Sequence, residues 1–404
     1  MTESPWIAPG EQGFLVGETL YLRPLEQGDA KYPGAWHFAS YPINWQRAEE
    51  LLTKELPKEA ESHTRRLVAC RRSDDIPVGA VKYEVQGWRT AFVQLRADPR
   101  LRSEGAAITA EMLGIVVPWL SEESHNMVVW AELDAPAPAV IAAVEGLGMR
   151  PAVRLREAIW RDGARHDQWI YELLHPGWVA KLGDPGPGIE RASEPPASPP
   201  AVRRVSLPDP GGPVPEGALL VGERVALRMS EPYDWKRISR LARRETETFF
   251  DRGRWLGGPL DGLHWVKESV KQVPPKEVLL SVIQRETGEL IGEVLLLHVD
   301  LFHRTAETGS MIYVPELRGQ GIGSEAKLLL LEFAFDLLGL HMLRSFVWGP
   351  NTRSQAALRK QGYRDAGRLH WDSTAGAEFV DVVMFDLLAS EWRQRVNQAA
   401  DDRG

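Results

Sequence analysis
The two ends of this chain are versions of one another, and no other feature restricts the fold as strongly. Gly17-Glu-Thr-Leu-Tyr-Leu-Arg23 returns as Gly222-Glu-Arg-Val-Ala-Leu-Arg228, and Pro77-Val-Gly-Ala-Val81 as Leu290-Ile-Gly-Glu-Val294. Arg89-Thr-Ala91 returns as Arg304-Thr-Ala306, and Arg102-Ser-Glu-Gly-Ala-Ala107 as Arg318-Gly-Gln-Gly-Ile-Gly323. Gly146-Leu-Gly-Met149 then matches Lys360-Gln-Gly-Tyr363, and Trp178 matches Trp392. The separation goes from 205 residues (Gly17 to Gly222) to 216 (Arg102 to Arg318) and back to 214 (Trp178 to Trp392). Order kept with small insertions points to a duplicated domain, so one fold must suit both halves.

Between the copies the periodic pattern stops. Ten of the 29 prolines fall between Lys181 and Gly217, where missing donors and fixed φ angles bar both helix and sheet. The expected division is residues 1–180, a linker at 181–216 and residues 217–404, two domains of usual size. A single cysteine, Cys70, rules out a disulfide framework. A net charge of −8 speaks against a general nucleic-acid binder. The most apolar stretch, Lys327 to Leu340, contains Lys327, Glu332 and Asp336 and is no membrane span. The start lacks a basic segment leading into an apolar run. The expectation is a cytoplasmic protein engaging neither membrane nor nucleic acid, with a homodimer left open.

Secondary structure reads most clearly in the second copy. Strands are expected at Val225–Leu227, Val278–Gln284, Leu290–His298, Glu307–Val314, Leu343–Trp348 and Phe379–Leu387, the second and third joined by Glu286-Thr-Gly-Glu289. Helices are expected from Glu231 to about Phe249, from Gly323 onward, where Ala326, Leu329, Leu330, Phe333 and Leu337 share a face, and over Thr352–Gln361. The fold class is a mixed α/β sheet with a strand–loop–helix at its centre.

That central loop is Val314-Pro-Glu-Leu-Arg318-Gly-Gln-Gly-Ile-Gly-Ser-Glu-Ala326. Glycines at 319, 321 and 323 let the backbone turn, and the unpaired amides of the following helix start favour a phosphate or pyrophosphate. It is neither a Walker loop, which needs Gly-Lys-Ser/Thr, nor a dinucleotide fingerprint, since Ser324 stands where the third glycine belongs. A tight turn alone would not require three glycines within five residues.

Arg318-x-x-Gly321-x-Gly323 resembles the [Gln/Arg]-x-x-Gly-x-[Gly/Ala] signature of the GNAT acyltransferases. Ala306-Glu-Thr-Gly-Ser-Met-Ile-Tyr-Val-Pro-Glu316, Gly323-Ser-Glu-Ala326, Phe333-Ala-Phe335, Leu338-Gly-Leu-His341, Asn351-x-x-Ser354 and Lys360-Gln-Gly-Tyr363 follow in order. Together they are similar to the branch containing the ribosomal-protein N-terminal acetyltransferases, over about Gly222 to Trp392. The resemblance implies two tandem domains of this fold, each a splayed mixed sheet flanked by helices, with acyl-CoA, expected to be acetyl-CoA, lying in the splay and no metal. The pyrophosphate would meet the loop Arg318, Gly319, Gln320, Gly321, Ile322, Gly323 and Ser324. The pantetheine arm would pair with Ile312, Tyr313 and Val314 like an added strand. Asn351 would reach that arm, although its position suits a helix N-cap equally.

The implied reaction is direct transfer of the acyl group from thioester to a primary amine, which a base must first deprotonate. Glu307 is the candidate base, against the plainer reading of a surface strand carboxylate, and Glu293 is the second choice. His298 and His303 read as ordinary strand-end or loop residues. The family often protonates the departing thiolate with a tyrosine where this chain has Leu358, so the general acid is unassigned. Ser354 is the remaining hydroxyl in that region, and Tyr363 reads as packing. The acceptor would cross Phe249, Phe250, Asp251 and Trp255 and the segment Leu263-His-Trp265, where aromatic faces and a carboxylate suit a cationic amine. It would be a small molecule or a protein N-terminus.

The first copy keeps the signature only in letters. Glu104 brings a negative charge to the phosphate position, Ala137 stands for Asn351, Val140 for Ser354 and Phe92 for Glu307. This copy reads as degenerate, and Cys70 as a buried structural thiol. The rival reading of the whole chain is a non-catalytic acyl-CoA sensor or scaffold.

Overall fold
Pairing between distant strands builds two units on one plan. The computed structural model describes residues 15–59, 63–86, 89–189, 201–202, 204–244, 259–269 and 271–401. By contacts the chain divides into Met1–Arg154 with Asp167–Ile189, and Leu155–His166 with Glu190–Gly404.

In the first unit, strand β1 (Leu20–Pro24) precedes three short helices, α1 (Pro33–Trp36), α2 (Trp45–Glu50) and α3 (Leu56–Glu59). A meander of β2 (Thr64–Arg71), β3 (Pro77–Gln86) and β4 (Thr90–Ala97) follows. Helix α4 (Gly105–Pro118) leads to β5 (Val128–Asp134), α5 (Pro138–Gly146), β6 (Arg150–Arg161), β7 (Ala164–Leu174) and α6 (Pro176–Leu182), the hairpin end Leu155–His166 of β6 and β7 grouping with the second unit. The sheet order is β1-β2-β3-β4-β5-β7-β6. Strands β4 and β5 are parallel, so the chain must cross over between them, and α4 does so.

The second unit adds an edge strand, β8 (Ala218–Val221), and then repeats the order. It runs β9 (Val225–Met229), α7 (Asp234–Ala242), α8 (Pro259–Ser269), β10 (Val278–Gln284), β11 (Leu290–Asp300) and β12 (Thr305–Ile312). Then come α9 (Ile322–Glu332), β13 (Met342–Trp348), α10 (Thr352–Gln361), β14 (Arg364–Ala375), β15 (Glu378–Leu388) and α11 (Ala389–Asp401). The sheet order is β14-β15-β13-β12-β11-β10-β9-β8, and β12 and β13 are parallel. Helix α9 packs Ala326, Leu329, Leu330 and Leu331 into the main core with Leu227, Leu280 and Phe385. Among the described residues no helix is long and apolar enough to cross a membrane.

The likeness of the units extends to single bonds. An Arg–Asp fork follows the first strand in each, Arg23–Asp29 at 2.8 Å and Arg228–Asp234 at 2.7 Å. A left-handed arginine opens the parallel strand in each, Arg89 at φ 62° and Arg304 at φ 56°. A π-helical turn ends the crossover helix in each, at Trp119–Glu123 and Phe333–Leu337. A helix glutamate clasps the first strand in each. Glu111 accepts the amides of Thr19 and Leu20 at 2.6 and 2.9 Å, and Glu325 those of Arg224 and Val225 at 2.8 and 3.3 Å.

Several elements differ from the sequence expectation. Helix α7 starts at Asp234, whose carboxylate accepts the Glu231 amide at 2.8 Å, and the expected continuation toward Phe249 enters residues outside the described set. Strand β12 starts two residues early and stops at Ile312, because Pro315 opens a 3-10 turn just beyond. Part of the proline-rich segment is docked: Val202 donates to Arg395 O at 3.1 Å, Leu207 to Val221 O at 2.8 Å, and Val202 joins the second unit's core. Backbone amides unused by helix or sheet find partners there instead.

Candidate active site
Two parallel strands part in the middle of the second unit. Strands β12 and β13 pair only at Thr305↔Met342, Ala306↔Leu343 and Glu307↔Arg344, although β12 continues to Ile312 and β13 to Trp348. The apex of this V is pinned by Ser345 Oγ, which donates to Thr308 O at 2.9 Å. The Tyr313 amide donates to Ile291 O on β11 at 2.9 Å, so by strand alternation Thr308, Ser310 and Ile312 turn their backbone groups toward the opening. A cavity of about 360 Å³ occupies the split.

The mouth of the split is the glycine loop. Gly319 (φ 76°) and Gly321 (φ 81°) are left-handed, which a side chain would strain. Gly321 is the N-cap of α9, and the first intrahelical bond is Glu325 N–H to Gly321 O at 3.0 Å. The amides of Ile322, Gly323 and Ser324 therefore precede the helical ladder. The expected phosphate residues are thus gathered at one helix start. Arg318 differs: its Nε donates to Ile312 O at 2.8 Å, closing the strand end. Gln320 is exposed, and its side chain donates to Glu316 O at 2.7 Å. Arg224, which sequence reading missed, reaches across the loop to Gln320 O at 2.6 Å and to Glu325 Oε2 at 2.9 Å.

Both candidate carboxylates line the cavity from one sheet face. Glu307 is 7% exposed, with Arg344 Nε at 3.3 Å. Glu293 is opposite Met311, four residues along β12 from Glu307, or roughly 13 Å at strand rise. Its Oε1 accepts the Tyr313 hydroxyl at 2.5 Å. Asn351 caps α10, accepting the Ser354 amide at 3.1 Å, and both residues line the cavity. Leu358 lines it too, at the position where the family often carries a tyrosine. Tyr363 is buried, its hydroxyl 2.9 Å from Thr308 Oγ1, and burial raises its pKa. His298 is exposed, and His303 Nδ1 accepts the Trp160 amide at 3.0 Å; neither lines the cavity.

On the acceptor side, Trp235 and Trp265 line the cavity with ring centroids 5.7 Å apart and planes at 67°. Trp265 lies in the segment singled out from sequence, whereas Trp235 was missed because its partner is thirty residues away. Phe249, Phe250, Asp251 and Trp255 lie outside the described residues. Lys327, read from sequence only as a charge in an apolar stretch, also lines the cavity although it is 1% exposed. Among the described residues no group of three or more His, Cys, Asp or Glu is arranged to hold a metal ion.

The first unit is built differently at the same place. There β4 and β5 stay paired from Thr90↔Val128 to Gln94↔Glu132, and Gln94 Nε2 donates to Glu132 Oε1 at 2.6 Å. Phe92 and Ala137 occupy the positions of Glu307 and Asn351, the latter as the N-cap of α5. From the strand residue facing Gly79 or its counterpart Gly292 to the clasping glutamate is 14 residues here (Ala97 to Glu111) and 13 in the second unit (Ile312 to Glu325). The helix register therefore aligns Gly105 with Gly319, two residues from its letter match. Glu104 caps α4 in place of a left-handed glycine. Cys70 is buried, and desolvation raises its pKa to about 11.

Known proteins carry the same domain. A model described as an acetyltransferase (GNAT) domain matches residues 224–364. A putative ribosomal N-acetyltransferase, YdaF, of Bacillus subtilis is 25% identical over 178 residues, 43% of this chain and 95% of that protein. Spermidine N(1)-acetyltransferase of Escherichia coli is 33% identical over 82 residues, 20% of this chain and 44% of that enzyme. A solved putative acetyltransferase from Sphaerobacter thermophilus is 34% identical, covering 40% of this chain and 97% of its own, with a TM-score of 0.33. The split parallel pair and the glycine loop at its mouth lie within that family match: residues 224–364 are a GNAT acetyltransferase domain.

Proposed function
We propose that the second unit transfers the acetyl group of acetyl-CoA to a primary amine by direct attack, and that the first unit is a degenerate copy without a catalytic cleft. The observation that carries this reading is the parting of β12 and β13 beside a left-handed glycine N-cap. The pyrophosphate would take the amides of Gly319, Gly321, Ile322, Gly323 and Ser324 with the helix dipole behind them. Ser310 and Ile312 would pair with pantetheine, with Asn351 opposite.

Glu307 is the proposed base, drawing the amine proton through water. Glu293, held by Tyr313, is suited to orienting the acceptor. Three tryptophans and two carboxylates around one cavity favour a cationic amine. Whether that amine belongs to a polyamine-like small molecule or to a protein N-terminus separates the relatives by their names, and a soluble cytoplasmic setting suits either. Thiol release from acetyl-CoA against a panel of polyamines, amino sugars and peptides, with mass spectrometry of the products, tests the reading. The rival, a non-catalytic acyl-CoA sensor, requires binding without thiol release for every amine.

A further inference from the structure
The cavity passes through the sheet. Glu307 and Gly309 line it from one face, while Thr308, Lys327 and Leu358 line it from the other. Lys327 sits on α9 about a turn and a half beyond the glycine loop. Among the described residues lining the cavity it is the one basic side chain. Its ammonium is 5.6 Å from the Tyr363 ring centroid. The Tyr363 hydroxyl in turn meets Thr308 Oγ1, on the strand that bears Glu307.

By the register that the Glu111 and Glu325 clasps fix, the first unit has Leu113 at this place, fully buried in an apolar core. A leucine therefore meets the packing requirement of this helix position, and a lysine there carries a desolvation cost without a packing gain. Two of the hydroxyls lining the cavity are committed elsewhere: Tyr313 donates to Glu293 and Ser345 to Thr308 O.

We propose that Lys327 is the general acid that protonates the departing CoA thiolate, a role that rests on the acyltransferase reading above. The amine lone pair forms the new C–N bond, and the carbonyl π pair moves onto oxygen. On collapse that pair returns and the C–S bonding pair leaves on sulfur. The amine proton passes through water to Glu307, and one Nζ proton of Lys327 passes to sulfur. Water then returns a proton to Lys327 and removes one from Glu307, so the net change is S–acyl plus N–H to N–acyl plus S–H. The placement suits the stereochemistry, since nucleophile and leaving group occupy different sides of the tetrahedral carbon. Burial brings the Lys327 pKa down to about 7, with the Glu307 charge opposing the fall, so the side chain gains and loses a proton near neutral pH, where a general acid works best.

The test compares wild type with Lys327→Met on two donors, acetyl-CoA and its selenium analogue, whose selenolate leaves without needing a proton. With acetyl-CoA the variant should lose about 10²-fold in kcat, with its Kd for acetyl-CoA unchanged. With the selenoester the loss should shrink to a few-fold. Lys327→Gln replaces the Met variant if that does not fold, as judged by circular dichroism and melting. Equal losses on both donors, a loss confined to Kd, or full activity each overturn the proposal while leaving the acyltransferase reading intact. Absence of thiol release by wild type with any amine overturns both.

Discussion
At the scale of single residues, the proposed chemistry rests on side chains whose charge the fold constrains. Glu307→Gln keeps the shape of the side chain and removes its basicity. It should lower kcat by ~10²-fold with acetyl-CoA affinity preserved, and the loss should shrink as pH rises and the amine deprotonates unaided; steady-state kinetics across pH 6–9 checks this. Lys327 gives a prediction about stability. Unfolded, it keeps its proton up to the ordinary 10.5; folded, only to about 7. Between those values unfolding takes up a proton, so wild-type stability rises with pH over that window. The groups facing Lys327 are Glu307 from β12 and Tyr363 after α10. Lys327→Met should therefore stabilise the protein most at or below pH 7, raising the unfolding free energy by up to about 5 kcal/mol at ~1.4 kcal/mol per pH unit, with the gain fading toward pH 10 in denaturant unfolding. That Glu307 and Glu293 sit on strands and Asn351 at a helix start could be read from the sequence, because strand runs and N-cap spacing are local. The setting of Lys327 could not, because Tyr363 and Thr308 form its surroundings from elsewhere in the chain.

At the scale of elements, the glycine loop is the most exposed to test. Gly321 is left-handed, and a Cβ there would lie 3.3 Å from Arg224 Nη2; at Gly323 it would lie 3.3 Å from Ile312 Cγ1. Gly321→Glu and Gly323→Glu each put a carboxylate where the pyrophosphate should lie, so calorimetry should find acetyl-CoA affinity lost while the far-UV spectrum stays native. Asn351→Ala removes an N-cap and should cost about 1 kcal/mol in denaturant unfolding. Most strands of the second unit could be read from β-branched runs and the hairpin signal. Strand β14 could not, because Arg364–Ala375 mixes Arg, Asp, Gly and His and owes its conformation to pairing with β15. Helix α8 was hidden by a similar cause, its register set by Trp265 packing on Trp235.

At the scale of the whole molecule, one plan appears twice, with a parallel pair two rungs longer in the first copy. Strands β4 and β5 remain paired through Gln94 and Glu132, whereas β12 and β13 part after Glu307 and Arg344. Calorimetry should accordingly find one acetyl-CoA site per chain, and two equivalent sites would refute the degeneracy of the first unit. The duplication was legible because its landmarks lie at turns and strand ends, where few residues fit. The longer parallel pairing of the first copy was not, since added rungs between strands leave no mark in the letters. The glutamate clasps carry a consequence for hydrogen exchange. In the second unit Glu325 and Arg224 tie the loop to the first amides of β9, so a ligand that orders the loop should slow deuterium uptake at Arg224 and Val225. Thr19 and Leu20, held by Glu111 in the same manner, should exchange at an unchanged rate, giving every such measurement an internal reference within one polypeptide.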